Sequence, residues 1–268
     1  MGDERPPVDV CVPTYNSGKT INKCLECLEK NLIQGDQVTI YDRFSTDETV
    51  ETVKAHGFKL IQTTDPLGKI RASSINETKK DFVFFLDSDM YLPDHFIENL
   101  FKWSEKLEKV GAIQGLPVNT LNTKLYKLEM WLKYERYDYP CILTYRGNTG
   151  NTLVSKEAAK GFKCEHTIFE DYALLQYLRS RGYNWWVVDF VVPHDNPNYK
   201  NASLWGGAGI RLLKTKPWWK LVLFLGWMPL KAPWGVKTIQ FKSQLYLLYG
   251  YLNYKKYLIK IVDVTRKH

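Results

Sequence analysis

Two carboxylates separated by one small residue, Asp87-Ser88-Asp89, close the apolar run Phe82-Val83-Phe84-Phe85-Leu86. Oxygen ligands at this spacing suit a hard divalent cation, Mg2+ or Mn2+, which is commonly shared between one or two carboxylates and the phosphates of a substrate. An isolated Asp-X-Asp is also an ordinary polar turn at a strand end, so its weight depends on the other strand ends. Thr14, Tyr15 and Asn16 follow one short β-rich run, and Asp42 ends another. With Asp87 and Asp89 they make a set suited to a base, a ribose and a metal-bound diphosphate. Farther along, Glu170 and Asp171 open a helical stretch that runs to Arg181. The dipole of a helix start favours an ionised carboxylate, and such a group within hydrogen-bond reach of a nucleophilic hydroxyl can take its proton. The same pair also reads as a simple helix cap.

The elements that must position these residues repeat one unit. Val8 to Val12 is a β-rich run, followed by a helical stretch from about Lys19 to Lys30; Val38 to Tyr41 is a second strand. Ser45-Thr46-Asp47-Glu48 has the capping-box pattern that opens a helix. Phe58 to Gln62 is a third strand, a helix spans about Gly68 to Lys79, and the strand ending at Asp87 follows; Trp185 to Val192 is another. Strands alternating with helices predict an α/β fold, a doubly wound, mostly parallel, Rossmann-like sheet. The uninterrupted apolar residues before Asp87 predict a strand buried on both faces. Ligands of such sheets sit beyond the carboxyl ends of the strands, where the two carboxylates stand. Gly-X-Gly-X-X-Gly is absent after the first strand and a Gly-Lys-Ser/Thr phosphate loop is absent throughout, which argues against dinucleotide-binding and P-loop readings.

These residues resemble the inverting glycosyltransferases of family 2, which have the GT-A fold. The resemblance covers roughly residues 7 to 195 and is spread over five motifs. Val10-Cys11-Val12-Pro13-Thr14-Tyr15-Asn16 resembles the family's first strand and nucleotide loop. Asp42-Arg43-Phe44-Ser45-Thr46-Asp47 resembles its Asp-Asp-Gly-Ser-Thr-Asp segment, with Arg43 and Phe44 as departures, and implies that Asp42 contacts the base. Gly68-Lys69-Ile70-Arg71 falls where the family places a basic residue on the diphosphate, Phe85-Leu86-Asp87-Ser88-Asp89 matches its metal motif, and Glu170-Asp171 matches its Glu-Asp pair. The resemblance thus implies a nucleotide-sugar site of Pro13, Thr14, Tyr15, Asn16, Asp42, Lys69, Arg71, Asp87 and Ser88, with Asp171 as catalytic base. A metal would be held by Asp87 and Asp89, with His194 of Pro193-His194-Asp195 as a third ligand.

Charge divides the chain. Residues 211 to 268 contain twelve Lys or Arg against Asp263 alone, a net of +11, while residues 1 to 210 are close to balanced at −3. The basic part also carries Trp218, Trp219, Trp227, Trp234 and tyrosines at 246, 249, 251, 254 and 257. Basic residues mixed with aromatics suit nucleic acid or an anionic membrane surface. The uncharged run 221–230 is too apolar for a nucleic-acid groove and too short for a bilayer span, which needs about 20 residues. An interfacial segment fits; a second core packed on the catalytic domain is the competing reading. The polar N-terminus lacks a secretory pattern, and five cysteines, an odd number, point to reduced thiols in the cytoplasm. Cys24 and Cys27 have no second pair to complete a zinc site and read as helix packing residues.

The sequence therefore predicts a GT-A catalytic domain over residues 1–200 and a basic, aromatic, helical C-terminal appendage over 201–268, peripheral on the cytoplasmic face of a membrane. The expected reaction is metal-dependent transfer of a single sugar, with inversion, from a UDP- or GDP-linked donor to a lipid-linked or other glycan acceptor, without nucleic acid. A polyisoprenyl-phosphate glycosyl synthase, whose acceptor is already ionised, and a nucleotidyltransferase are the alternatives.

Overall fold

The strand Phe82–Leu86 (β4) is buried on both faces, as its unbroken apolar run predicts, with Val83, Phe84, Phe85 and Leu86 all inaccessible to solvent. It is a central strand of the computed structural model, which describes residues 5–119, 140–143, 147–165, 167, 169–195, 246 and 248–253. The preceding elements are Asp9–Thr14 (β1), Gly18–Glu29 (α1), Gln37–Asp42 (β2), Thr49–Ala55 (α2), Lys59–Gln62 (β3) and Leu67–Glu77 (α3). After β4 come Phe96–Ser104 (α4), Val110–Asn119 (β5), Cys141–Ile142 (β6), Asn151–Ser155 (β7), Lys156–Ala159 (α5), Glu170–Ser180 (α6) and Asn184–His194 (β8).

The eight strands form one sheet in the order β3-β2-β1-β4-β7-β5-β8-β6. The half from β3 to β4 is parallel, as predicted. β7 runs antiparallel to both β4 and β5, β8 is parallel to β5, and the short edge strand β6 is antiparallel to β8.

Alternation along β4 divides the core. Phe84 and Leu86 face one cluster with Ile21, Leu25 and Leu28 of α1 and Phe96, Ile97 and Leu100 of α4. Val83 and Phe85 face a second cluster with Ile70 and Ile75 of α3 and Leu174, Leu175 and Leu178 of α6. Each helix buries a stripe at three- and four-residue spacing, the signature of an amphipathic helix, and each such Leu or Ile contributes about 1.5–3 kcal/mol. Cys24 is fully buried in the first cluster and Cys27 packs at its margin, so both are packing residues.

One helix start departs from expectation. Ser45 does not cap α2, which begins at Thr49 with Glu48 in the cap position and no side-chain cap bond there. The Ser45 hydroxyl is bonded to Asp42 and accepts from Asn16 N at 2.8 Å, so it is unavailable to the helix. Asp47 takes over, accepting from Thr49 N at 3.2 Å.

The chain divides into two units, Met1–Thr120 with Met130–Asp195, and Leu121–Glu129 with Asn196–His268. The sheet belongs to the first. Of the second, residue 246 and residues 248–252 are helical, and Asn253 closes that turn through N and Nδ2 donating to Tyr249 O at 2.9 and 3.0 Å. The apolar run 221–230 and the tryptophans near it lie outside the described residues. Among the described residues no helix is long and apolar enough to cross a membrane.

Candidate active site

The path of the chain creates a crevice between β1 and β4. From β1 it winds outward through β2 to β3, then returns to the other side of β1 for β4, and it is at the carboxyl ends of strands where the order reverses in this way that open α/β sheets bind ligands. The Ser17 and Ser88 hydroxyl oxygens, 2.9 Å apart, join the two strand ends. Pro13 remains in the ladder opposite Tyr41, Thr14 is buried, and Tyr15 projects from the strand end with 59% of its surface exposed.

On the β1–β2 side, hydrogen bonds from backbone N–H, amide and hydroxyl groups lock two loops together. Asn16 adopts a left-handed φ of 48°, which Asn tolerates. Its Oδ1 accepts from Thr46 N at 2.8 Å, Ser17 N donates to Thr49 Oγ1 at 2.8 Å, and Gly18 N donates to Asp47 Oδ2 at 2.9 Å. Asp42, expected to meet the base, is fully buried. Its carboxylate accepts from Ser45 N at 3.0 Å, Gln62 Nε2 at 3.1 Å and the Ser45 hydroxyl, so in this structure it braces the β2 loop.

The β4 side is ionic. Arg71, expected on the diphosphate, turns inward from α3 and is almost wholly buried. One guanidinium nitrogen donates to Asp87 Oδ1 at 2.7 Å and the other to Glu170 Oε1 and Thr149 Oγ1. Phe85 lies beneath it, with the guanidinium carbon 5.7 Å from the ring centroid. Burial opposes the arginine's charge, but Glu170 and Asp87 outweigh it and raise the pKa further. Burial also lifts Asp87 above the usual carboxylate range; Arg71 pulls it back and Asp89 pushes it up. Lys69 stays on the surface, paired with Asp65 at 2.8 Å.

Glu170 and Asp171 both lie in the first turn of α6 and are both buried, so the pair does more than cap an exposed helix end. Glu170 is the partner of Arg71. Asp171 Oδ1 accepts from Tyr172 N at 2.8 Å, and its charge acts on both Arg71 and Asp87.

His194 is the last residue of β8 rather than part of a following loop. A bridge between Met90 and His194, and the bond from Asp195 N to Asp89 O at 2.8 Å, tie the β8 end to the segment after β4. His194 Nε2 lies 3.1 Å from Asp89 Oδ1. Burial works to lower its pKa, but the bond to Asp89 and the charges of Asp89, Asp87 and Asp195 raise it. Among the described residues no three His, Cys, Asp or Glu side chains form a ready-made metal cage. Asp89 and His194 are brought together, while Asp87 is engaged by Arg71.

The turn before β7 also belongs to the site, although the sequence did not single it out. Gly150 O accepts from Asp87 N at 2.9 Å, and a Cβ at position 150 would lie 2.5 Å from Asp87 Oδ2, so glycine lets this turn approach the carboxylate. Asn148 Oδ1 accepts from Gly150 N at 2.8 Å, and Asn148 N donates to Gln114 Oε1 at 2.9 Å. The only available signal was the turn-forming run Gly147-Asn148-Thr149-Gly150-Asn151 ahead of β-branched residues.

Comparison with known proteins bears on this arrangement. The family model of glycosyl transferase family 2 matches residues 9–165, more than half of the chain. The chain is 27% identical over 105 residues to the putative glycosyltransferase EpsH of Bacillus subtilis, covering 37% of this chain and 30% of that protein. It is 35% identical over 92 residues to the poly(ribitol-phosphate) beta-N-acetylglucosaminyltransferase TarS of Staphylococcus aureus, covering 31% and 16% respectively. The matches thus span less than a third of either relative's length. Glucosyl-3-phosphoglycerate synthase from Mycobacterium tuberculosis, solved with Mn2+ and uridine-diphosphate-glucose, superposes with a TM-score of 0.57 at 19% identity, over 78% of this chain and 79% of that one. That likeness is one of fold, and the fold is of GT-A type.

Proposed function

The chain belongs to glycosyl transferase family 2, and from that premise we propose that it moves a single sugar, with inversion and with Mg2+ or Mn2+, from a UDP- or GDP-linked donor to a lipid-linked or other glycan acceptor. The observation that carries this reading is the convergence of Asp87, Asp89, Glu170 and Asp171 at one crevice, with Arg71 bonded to Asp87 and Glu170. Thr14, Tyr15, Asn16 and Ser88 line the nucleotide side.

The donor set suits the metal: carboxylate oxygens, with an imidazole 3.1 Å from one of them, match the ligand preferences of Mn2+ and Mg2+ when a diphosphate supplies the remaining oxygens. Asp89 and His194 would hold the ion, with Asp87 beside them, and the bound ion would supply charge stabilisation to the departing diphosphate. Asp171 accepts the proton of the acceptor hydroxyl as its oxygen attacks the anomeric carbon. The bond from that carbon to the diphosphate oxygen breaks, and the nucleoside diphosphate leaves. Arg71 does not meet the donor in this account. It fixes Asp87 relative to the turn of α6 that carries Asp171.

We assign residues 201–268 to an anionic membrane surface, because a net charge of +11 over 211–268 accompanies tryptophans and an apolar run. The wild-type protein should pellet with vesicles containing anionic lipid and be partly released by high salt; protein that remains in the supernatant would remove this assignment. The test of the reaction is product analysis over a panel of UDP- and GDP-sugars with and without chelator. Metal-dependent release of nucleoside diphosphate is expected, whereas pyrophosphate would indicate nucleotidyl transfer.

A further inference from the structure

Phe44, in the loop after β2, has a conformation that suits glycine. Its φ is 55°, in the left-handed region that bulky residues rarely adopt, yet 52% of its surface is exposed. Neither backbone preference nor burial accounts for a phenylalanine here. The position is firmly held, because bonds surround it on both sides. Arg43 N donates to Thr14 O at 3.0 Å, and Ser45 N donates to Asp42 Oδ2 at 3.0 Å. The Asn16–Ser45 and Asn16–Thr46 bonds tie its loop to the one that presents Tyr15. A side chain maintained against its backbone at a site is a candidate for function.

Resting on the glycosyl-transfer reading above, we propose that Phe44 is a specificity-determining residue that presents an aromatic face to the nucleobase of the donor. The loops after β1 and β2 present two exposed aromatic rings, Tyr15 and Phe44, whereas the Arg71–Asp87 and His194–Asp89 pairs stand at the β4 end, so the flat part of a nucleotide belongs with the rings and the diphosphate toward Asp89. A phenyl ring offers no donor or acceptor. It therefore recognises a base by stacking rather than by its edge pattern.

Calorimetric titration of the full chain with UDP, GDP and inorganic pyrophosphate, each with Mn2+, tests this. Phe44→Gly should weaken the preferred nucleotide by roughly 5- to 150-fold, the range one base–aromatic stack carries, and leave pyrophosphate binding unchanged. Its Tm should be equal to or above wild type, because glycine relieves the backbone. Phe44→Tyr should restore nucleotide binding and Phe44→Leu should not. Nucleotide affinity unchanged in Phe44→Gly overturns the proposal alone. A lowered Tm with pyrophosphate binding lost as well makes Phe44 a scaffold residue and also overturns it. Wild-type protein that binds neither nucleotide removes the parent reading, and this inference with it.

Discussion

The loops after β1 and β2 hold their shape through hydrogen bonds from backbone N–H, amide and hydroxyl donors and leave Tyr15 and Phe44 in solvent, whereas the opposite side buries the guanidinium of Arg71 among Asp87, Glu170 and Thr149. The two constructions differ in what they cost to break. A single hydrogen bond contributes about 0.5–1.5 kcal/mol net, or about 1.5–3 kcal/mol where it meets a carboxylate, while removing one member of a buried ion-paired group costs about 3–5 kcal/mol because the partners remain charged and unpaired. The ionic side is fixed in advance, as required where charge develops during reaction.

Removing the acid that stands free of Arg71 should break the ionic side most severely. Asp89→Ala is expected to lower nucleoside diphosphate release by at least about 10²- to 10³-fold, the scale of losing one electrostatic stabiliser, and chelation of the wild type should do the same. Full activity in excess chelator would remove the metal from the account. Arg71→Met leaves two acids facing each other and should destabilise by about 3–5 kcal/mol in urea unfolding. Adding Glu170→Gln should recover part of that loss, a non-additivity that independent sites would not show.

Cys11 lies on the same side, on the β1 face that packs toward α3. Burial raises its thiol pKa to about 11, with Ser74 and Arg71 pulling the other way. Since the folded value lies above the unfolded one, the stabilisation from keeping the proton is whole well below pH 9 and is lost as pH rises through 9 to 11. Between pH 9 and 11 wild type should lose about 2 kcal/mol relative to Cys11→Ala, and at pH 8 iodoacetamide should leave Cys11 of the folded protein unlabelled. On the β1–β2 side, Asn16→Ala removes the bond to Thr46 N and the tolerance of left-handed φ. It should destabilise by only about 1 kcal/mol, raise the donor KM several-fold and leave kcat near wild type.

Much of this division was legible in the sequence. The doubly buried β4, the alternation of β1 to β4 with helices, and the polar strand ends follow from apolar runs and their boundaries, which are local properties. The direction of β7 was not legible, because antiparallel pairing with β4 and β5 is decided by distant residues and not by the five residues of the strand itself. The inward turn of Arg71 was also hidden. An arginine that binds diphosphate and one that braces two carboxylates have the same residue type at the same spacing, and only the position of Glu170 near 71 separates them. The late start of α2 was missed because Ser45 has a better partner outside its own helix.

The division is tested most directly by the kinetics of Asp171→Asn, measured as nucleoside diphosphate release against donor concentration. The substitution is nearly isosteric and retains a hydrogen-bonding side chain but accepts no proton, so kcat should fall by roughly 10²- to 10⁴-fold with donor KM near wild type. A donor KM that collapses together with kcat, or a rate that does not change, would contradict the assignment of proton transfer to the ionic side.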